Sequence, residues 1–199
     1  MILGITGGTG CGKTTLLESV RRRGGLTLDC DAIYHQLLSS DKEMLGAIQD
    51  AFPDCFRDGC LQRRQLGARV FSDPQALALL NRITHAAVKR EVARLLSPAP
   101  DFAAIDAIAL LESGLAELCD VTVAVLAPRE DRIQRLMLRD GITREYAESR
   151  INAQHPDFWF RERCGYTLEN NGTCEEFSEK CEEFLNKIQK NGGYSHEHR

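Results

Sequence analysis

Apolar and polar positions along the chain follow two rhythms, one of strands and one of helices, and the change between them is abrupt. Ile2–Thr6 is a short apolar run ending in glycines, which predicts a buried parallel strand. Lys13–Arg23 carries Leu16, Leu17 and Val20 at helical spacing and stops at Gly24-Gly25. Leu26–Asp29 predicts a second strand, followed by a helix to about Leu38 that Asp31 could cap. Strand, helix, strand, helix is the opening order of a doubly wound α/β sheet.

From about Asp41 to Ser97 the pattern turns helical and more polar. Helices are predicted over Met44–Phe52 and Gln62–Phe71, and a longer one starts at Pro74 with Ser72 or Asp73 as its cap. Leu77, Leu80, Ile83, Ala87 and Val92 fall on one face of that helix. No strand pattern interrupts the segment, so it reads as a helical insertion closed by Ser97-Pro98-Ala99-Pro100. Phe102–Asp106 and Val121–Leu126 return to strand character. Helices are predicted over Asp131–Arg139 and Arg144–Ala153, on either side of Asp140-Gly141. A last strand over Tyr166–Leu168 leads to a turn at Asn170-Asn171-Gly172 and to a helix from a Thr173 cap to about Lys190. Gly192–Arg199 is expected to fray.

Composition narrows the class. The 199 residues are 43% apolar and 27% charged, enough for one domain or for one core with inserted subdomains. A formal net charge of −4 argues against a broad nucleic-acid footprint. No run approaches the ~18 apolar residues of a membrane span, and the opening residues lack the basic flank of a signal peptide. The eight cysteines contain no Cys-x-x-Cys pair, so the usual zinc and redox spacings are missing. Thiols kept reduced in a cytoplasm are the expectation.

Gly7-Gly8-Thr9-Gly10-Cys11-Gly12-Lys13-Thr14 fits G-x-x-x-x-G-K-[ST] at every fixed position, with a strand before it and a helix after it. Glycines let backbone N–H groups approach phosphate oxygens, and the helix N-terminus adds unpaired donors and partial positive charge. Lys13 supplies a point charge to the β- and γ-phosphates and Thr14 a hydroxyl for Mg2+. Cys11, at that N-terminus, is expected to favour its thiolate and to be oxidation-sensitive. The motif does not choose between ATP and GTP. The guanine-reading Asn-Lys-x-Asp signature is missing, which favours a compact kinase for a small acceptor.

Such a kinase needs a carboxylate to accept a hydroxyl proton, cations around the transferring group and a lid that excludes water. Asp31, just past the second strand, is the candidate base, with helix capping an equal alternative. Arg132, Arg135, Arg139, Arg144 and Arg150 cluster in a chain that is acidic overall. They read either as a lid bringing cations to phosphates or as a solvated face paired with Glu130, Asp131 and Glu145. Asp106, ending a strand, suits water-bound Mg2+ or a turn cap, and Glu112 faces the acceptor or solvent. A kinase for another acceptor, such as a nucleoside, and a nucleotide-sensing regulator remain alternatives on these residues alone.

Several marks in this order resemble the dephospho-CoA kinase family over roughly Ile2 to Lys187. They are the phosphate loop, Leu28-Asp29-Cys30-Asp31, Arg64-Gln65-Leu66-Gly67, Val70-Phe71-Ser72-Asp73-Pro74 and Leu80-Asn81-Arg82-Ile83-Thr84-His85. Ile105-Asp106, Leu110-Leu111-Glu112-Ser113-Gly114, Arg139–Thr143, Arg150–Gln154 and Asn170–Thr173 complete them. The resemblance implies a phosphate-loop NTPase fold, a parallel sheet with flanking helices, a helical substrate subdomain and a lid. Residues 1–40, 101–114, 119–128 and 164–190 would form the nucleotide-binding core, 41–100 the acceptor-binding subdomain and 115–154 a lid region overlapping the core. It implies transfer of the γ-phosphoryl of ATP, with Mg2+, to the 3′-hydroxyl of dephospho-CoA by a monomer or weak homo-oligomer. Asp31 matches the family's base and Arg139 its lid arginine. Gly8, Thr9, Gly10, Cys11, Gly12, Lys13, Thr14, Thr15 and Asn171 would bind the nucleotide. Arg64, His85, Glu112, Arg150 and Gln154 would join Asp31 around the acceptor, with Thr14 and Asp106 at the metal. Cys30, Ala86, Ile108, Ala109 and Leu111 depart from the family pattern and bear on packing around the acceptor.

Overall fold

A computed structural model describes residues 1–192 of the chain. The expected fraying of 192–199 therefore falls outside the described residues, apart from Gly192. Five strands form one sheet in the order β2 (Leu26–Asp29), β5 (Ala103–Asp106), β1 (Ile2–Thr6), β6 (Val121–Leu126) and β7 (Tyr166–Glu169). β1 pairs in parallel with β5 and β6, placing Ile5 opposite Asp106 and Val123, and β6 pairs in parallel with β7. A strand walled on both sides must be apolar on both faces, and Leu3, Ile5 and Val123 to Leu126 are fully buried. The C-terminal end of β1 thus opens between two parallel neighbours, where α/β sheets bind ligands.

The chain divides into two compact units. One holds Met1–Leu28, Ala99–Leu111 and the chain from Leu115 onward; the other holds Asp29–Pro98 and Glu112–Gly114. In the first unit α1 (Lys13–Arg22) packs on α9 (Cys174–Gly192). Leu16, Leu17 and Val20 from α1 meet Phe177, Cys181, Phe184, Leu185 and Ile188 from α9 in one core with Leu3, Ile5 and Val125. The α9 residues recur at helical spacing, so one stripe of a charged helix carries the whole contact. Its start is a capping box: Thr173 Oγ1 accepts from Glu176 N at 3.2 Å and Glu176 Oε2 accepts from Thr173 N at 2.8 Å. α6 (Arg129–Asp140) and α7 (Arg144–Asn152) form a hairpin with its own small core of Ile133, Leu136, Ala147 and Ile151. α8 (Asp157–Arg163) follows Pro156 and buries Phe160 against Ala124 and Leu126.

The second unit is helical. α2 (Cys30–Ser40), α3 (Lys42–Ala51) and α4 (Arg63–Ser72) all pack on the long α5 (Pro74–Leu96). Asp73 caps α5 as expected, its Oδ1 accepting from Gln75 N at 2.9 Å and Ala76 N at 3.2 Å.

Four expectations change. The helical segment is interrupted by a hairpin, β3 (Phe56–Arg57) with β4 (Cys60–Leu61), turned by Asp58 and Gly59 at φ 51 and 75. Two-residue strands are too short to show alternation, though Asp-Gly is itself a hairpin signal. α8 is too short at seven residues to register a period. On α5 the buried set is Ala76, Leu80, Thr84, Ala87, Val88 and Val92, while Leu77 is exposed. Thr84 hides in that stripe because its hydroxyl donates to Leu80 O at 3.0 Å, so a polar letter occupies a core position. Finally, the cap of α2 is Asp29, whose Oδ1 accepts from Asp31 N at 3.0 Å and Ala32 N at 3.1 Å; Asp31 is not the cap.

Leu185 is fully buried at the centre of the α1–α9 contact. Leu185→Ala is expected to lower unfolding free energy by about 3 kcal/mol, read from urea denaturation; a loss under about 1 kcal/mol would show that α9 is not docked as described.

Candidate active site

The loop from Gly7 to Thr14 runs from β1 into α1 as the motif requires. Gly12 stands at the helix N-cap with φ 102, a left-handed conformation that disfavours any larger residue, and offers no side-chain cap. The N–H groups of Lys13 and Thr14 are the orphan donors of this helix start, with the positive end of the α1 dipole behind them, while Thr15 N donates to Gly12 O at 3.0 Å. Lys13 reaches back across the loop, its Nζ donating to Gly7 O at 3.0 Å and Gly8 O at 3.3 Å.

Three successive carbonyls of the loop are held from outside. Arg132 Nε donates to Thr9 O at 2.9 Å, Arg135 Nη1 to Gly10 O at 3.3 Å and Asn170 Nδ2 to Cys11 O at 2.8 Å. Asn170 is itself buried, tied to β6 through its N–H to Leu126 O at 2.7 Å, and accepts from Arg135 Nη2 at 3.3 Å. A backbone whose carbonyls are drawn outward presents its positive dipole ends inward, which is the requirement of an anion cradle. A Cβ at Gly12 would collide with the Asn170 amide. In the sequence Asn170 showed only as part of a turn and of the family mark Asn170–Thr173, and its neighbour Asn171 carried the nucleotide expectation. Asn171 is exposed and its Oδ1 accepts from Lys180 Nζ at 2.9 Å.

The other expected residues fall in several settings. Thr14 is exposed in the first turn of α1 and Asp106 ends β5 half-buried. A hydroxyl and a carboxylate are hard oxygen donors of the kind that hold Mg2+ together with its waters, so this pair fits that ion. Among the described residues, no three His, Cys, Asp or Glu side chains converge on a site for any metal. In the helical unit Asp31 and Arg64 are exposed on the first turns of α2 and α4. His85 is half-buried on α5, where desolvation pulls its imidazole below the usual range against the opposing charge of Glu112. Gln154 turns to the loop, its Oε1 accepting from Thr9 N at 2.8 Å and Arg132 Nη2 at 3.1 Å.

Two readings are corrected. Cys11 is only 1% exposed, and burial raises its thiol pKa despite the nearby charges of Arg132 and Lys13. Desolvation outweighs the helix N-terminus, so the expected thiolate is not favoured. The arginine cluster is not one group. Arg132 is 5% exposed and spent on Thr9 O and Gln154, and Arg135 bridges Gly10 O and Asn170. Arg144 pairs with Glu130 at 2.6 Å and Glu148 at 3.0 Å on a solvated face. Only Arg139 and Arg150 share a partner, both holding Asp140, at 2.7 and 2.6 Å.

A family model described as dephospho-CoA kinase matches residues 1–176. The dephospho-CoA kinase of Anaeromyxobacter dehalogenans is 37% identical over 190 residues, covering 92% of this chain and 90% of the relative. A solved Thermus thermophilus protein superposes with a TM-score of 0.79 at 33% identity, covering 94% of this chain and 97% of the other. Shikimate kinase from Acinetobacter baumannii, at 17% identity and a TM-score of 0.58 with 96% and 93% coverage, shares the phosphate-loop kinase fold.

Two outcomes follow from the site's electrostatics. Iodoacetamide at neutral pH is expected to label the exposed Cys60 and Cys174 and to spare Cys11, read by peptide mass mapping; rapid labelling of Cys11 would show an open loop. Hydrogen bonds from Arg139, then Arg150, depress Asp140 to about 2 from 3.8. A depressed carboxylate contributes its pairing above its ordinary pKa and loses it as pH falls through the lower value. The Asp140 carboxyl resonance should therefore titrate near pH 2; a midpoint near 3.8 would mean that the two arginine pairings of Asp140 do not persist in solution.

Proposed function

The chain belongs to the dephospho-CoA kinase family, and we propose that it performs the family's reaction through the loop at 7–14. The γ-phosphoryl group of ATP passes to the ribose 3′-hydroxyl of dephospho-CoA, giving coenzyme A and ADP, the last step of coenzyme A synthesis. The observation that carries this reading is the family match over residues 1–176. The uncapped start of α1 beside Lys13 supports it, because that is where phosphate oxygens find unpaired donors.

In the proposed mechanism the backbone from Gly8 to Thr15 receives the phosphates, and Asn171 lies beside the base. Lys13 leaves the carbonyls of Gly7 and Gly8, weak acceptors beside a polyphosphate, and turns to the β- and γ-oxygens. Thr14 and Asp106 would hold Mg2+, which would supply charge neutralisation at those oxygens. Asp31 accepts the proton of the 3′-hydroxyl as the new bond to phosphorus forms, ending as the neutral acid. Its rival role is already filled, since Asp29 caps α2. Arg64, His85, Glu112 and Arg150 contact the acceptor, with His85 kept neutral at pH 7 by burial and so able to act as donor or acceptor. Gln154 also stands at an acceptor position by family resemblance. Arg139 stabilises the negative charge of the transferring group, and the α6–α7 arm closes over it to exclude water.

We read the working form as a monomer or weak homo-oligomer in a reducing cytoplasm, in keeping with eight cysteines that form no disulfide. No described helix is long and apolar enough to cross a membrane.

The test mixes the protein with ATP, Mg2+ and dephospho-CoA and follows CoA and ADP by mass-resolved chromatography. Equimolar products are expected. Lys13→Ala should lose at least about a hundredfold in kcat. Asp31→Asn should bind ATP almost normally while losing turnover by about 10²–10⁴. Normal turnover in Asp31→Asn would remove the base, and ATP binding without CoA formation would point to a different acceptor.

A further inference from the structure

We propose that Arg132 and Gln154 form a clamp on Thr9 that positions the phosphate loop for nucleotide, so that Gln154 serves the ATP side of the reaction and not the acceptor side. The proposal deepens the kinase reading above and rests on it for the identity of the nucleotide.

Both backbone groups of Thr9 are taken by this pair. Thr9 N donates to Gln154 Oε1 at 2.8 Å, and Thr9 O accepts from Arg132 Nε at 2.9 Å. The two side chains are joined in turn, with Arg132 Nη2 donating to the same Gln154 Oε1 at 3.1 Å. One residue of the loop is thus gripped in a closed ring of three hydrogen bonds. The fit is close: a Cβ on Gly8 would run into the Arg132 guanidinium and lie 3.1 Å from Gln154 Oε1. A side chain at position 8 would therefore have to push the Arg132 guanidinium out of the clamp.

The ring also carries charge. Arg132 is 5% exposed, and its nearest carboxylate oxygen, from the more exposed Asp157, is 3.7 Å away. Its hydrogen bonds go to two neutral oxygens, on Thr9 and Gln154. The long ion pair with Asp157 offsets part of this buried charge, and the remainder acts on the loop, where the low local dielectric extends its reach. The lowering effect of Arg132 on the buried Cys11 thiol is the same field felt within the loop. A polyphosphate is the ligand such a field favours. Gln154 has no charge of its own; it fixes the guanidinium and Thr9 together. Its backbone is anchored where α7 ends, Gln154 N donating to Ile151 O at 3.1 Å, so the clamp ties the base of the α6–α7 arm to the loop.

Gln154→Met keeps the stem and removes the shared acceptor. The expected result is a rise of about five- to tenfold in the ATP dissociation constant, because the two hydrogen bonds lost at Oε1 lie within the protein and act on ATP only through the position of Thr9. It is read by calorimetric titration without acceptor, with KM for dephospho-CoA within twofold of wild type and a thermal midpoint lowered by no more than a few degrees, about the cost of two buried donors left without their acceptor. Raised KM for dephospho-CoA with unaltered ATP affinity would overturn the proposal and return Gln154 to the acceptor. An unchanged or lower ATP dissociation constant would overturn it as well. Arg132→Lys retains the charge and loses the fork, and it is expected to weaken ATP binding by a similar factor. Because the two side chains share Thr9, their combined effect should be smaller than the product of the single effects; a full product would separate them into unrelated contacts. Should the wild type fail to phosphorylate dephospho-CoA, the acceptor assignment falls, while the ATP titrations still decide the clamp.

Discussion

The rest of the site depends on where the carbonyls of one short loop go. A backbone segment between a buried strand and a helix cannot leave its polar groups unpaired. Here the Thr9, Gly10 and Cys11 carbonyls are drawn outward by Arg132, Arg135 and Asn170. The donors at the start of α1 are left for a ligand. Two partners come from α6 and one from the end of β7, elements more than a hundred residues downstream of the loop. The sheet makes this possible, because β6 pairs with β1 and β7 pairs with β6, so the segments leaving β6 and β7 emerge beside the segment leaving β1. The parallel order is therefore a condition for holding the loop in this form as well as a way to build a core.

This dependence explains which parts of the molecule were legible in the sequence. β1, β2 and β6 were bounded to the residue because buried parallel strands are written as local apolar runs. The start of α5 was legible because Asp73-Pro74 is a local signal with a local mechanism. The β3–β4 hairpin and α8 were missed because two and seven residues are too few for a period. In the site, the loop itself was fully legible as a motif. Its supports were not: Asn170 was read as a turn, and Arg132 and Arg135 as lid cations. Their roles are set by partners that only the folded sheet brings near. Nothing local in Arg129–Asp140, a mostly polar helix, marks Arg132 as buried. Asp29 and Asp31 show the same limit on a smaller scale, since only backbone geometry tells which of two neighbouring carboxylates caps the helix, and it is Asp29.

Burial decides the remaining chemistry. Cys11 has what acidifies a thiol, a helix start with Arg132 and Lys13 nearby, and its pKa is nonetheless raised. Desolvation wins because the thiol is packed into the core beside Leu16 and Phe177 and not exposed to the phosphate side. A residue can therefore sit inside a phosphate-binding motif and contribute only its backbone. That is sufficient here, because the part of Cys11 that matters is the carbonyl held by Asn170.

The arginines that remain after this sorting are the ones least firmly held. Arg132 is bound in the interior, and Arg144 is satisfied by two carboxylates on its own hairpin. Arg139 and Arg150 instead share one carboxylate, Asp140, at the exposed tip of α6. An exposed pair is a weak tie that water and salt compete with, and Asp140 offers one negative charge to two cations. A polyphosphate carries several charges and forms bidentate contacts with guanidinium groups. In the proposed mechanism it outbids Asp140 for Arg139, so the arm closes because its cations find a better anion, not because a strained hinge releases. In that proposal the grip of Arg132 and Gln154 on Thr9 holds the base of the arm to the loop, and closure is confined to its outer part, from Arg139 to Arg150.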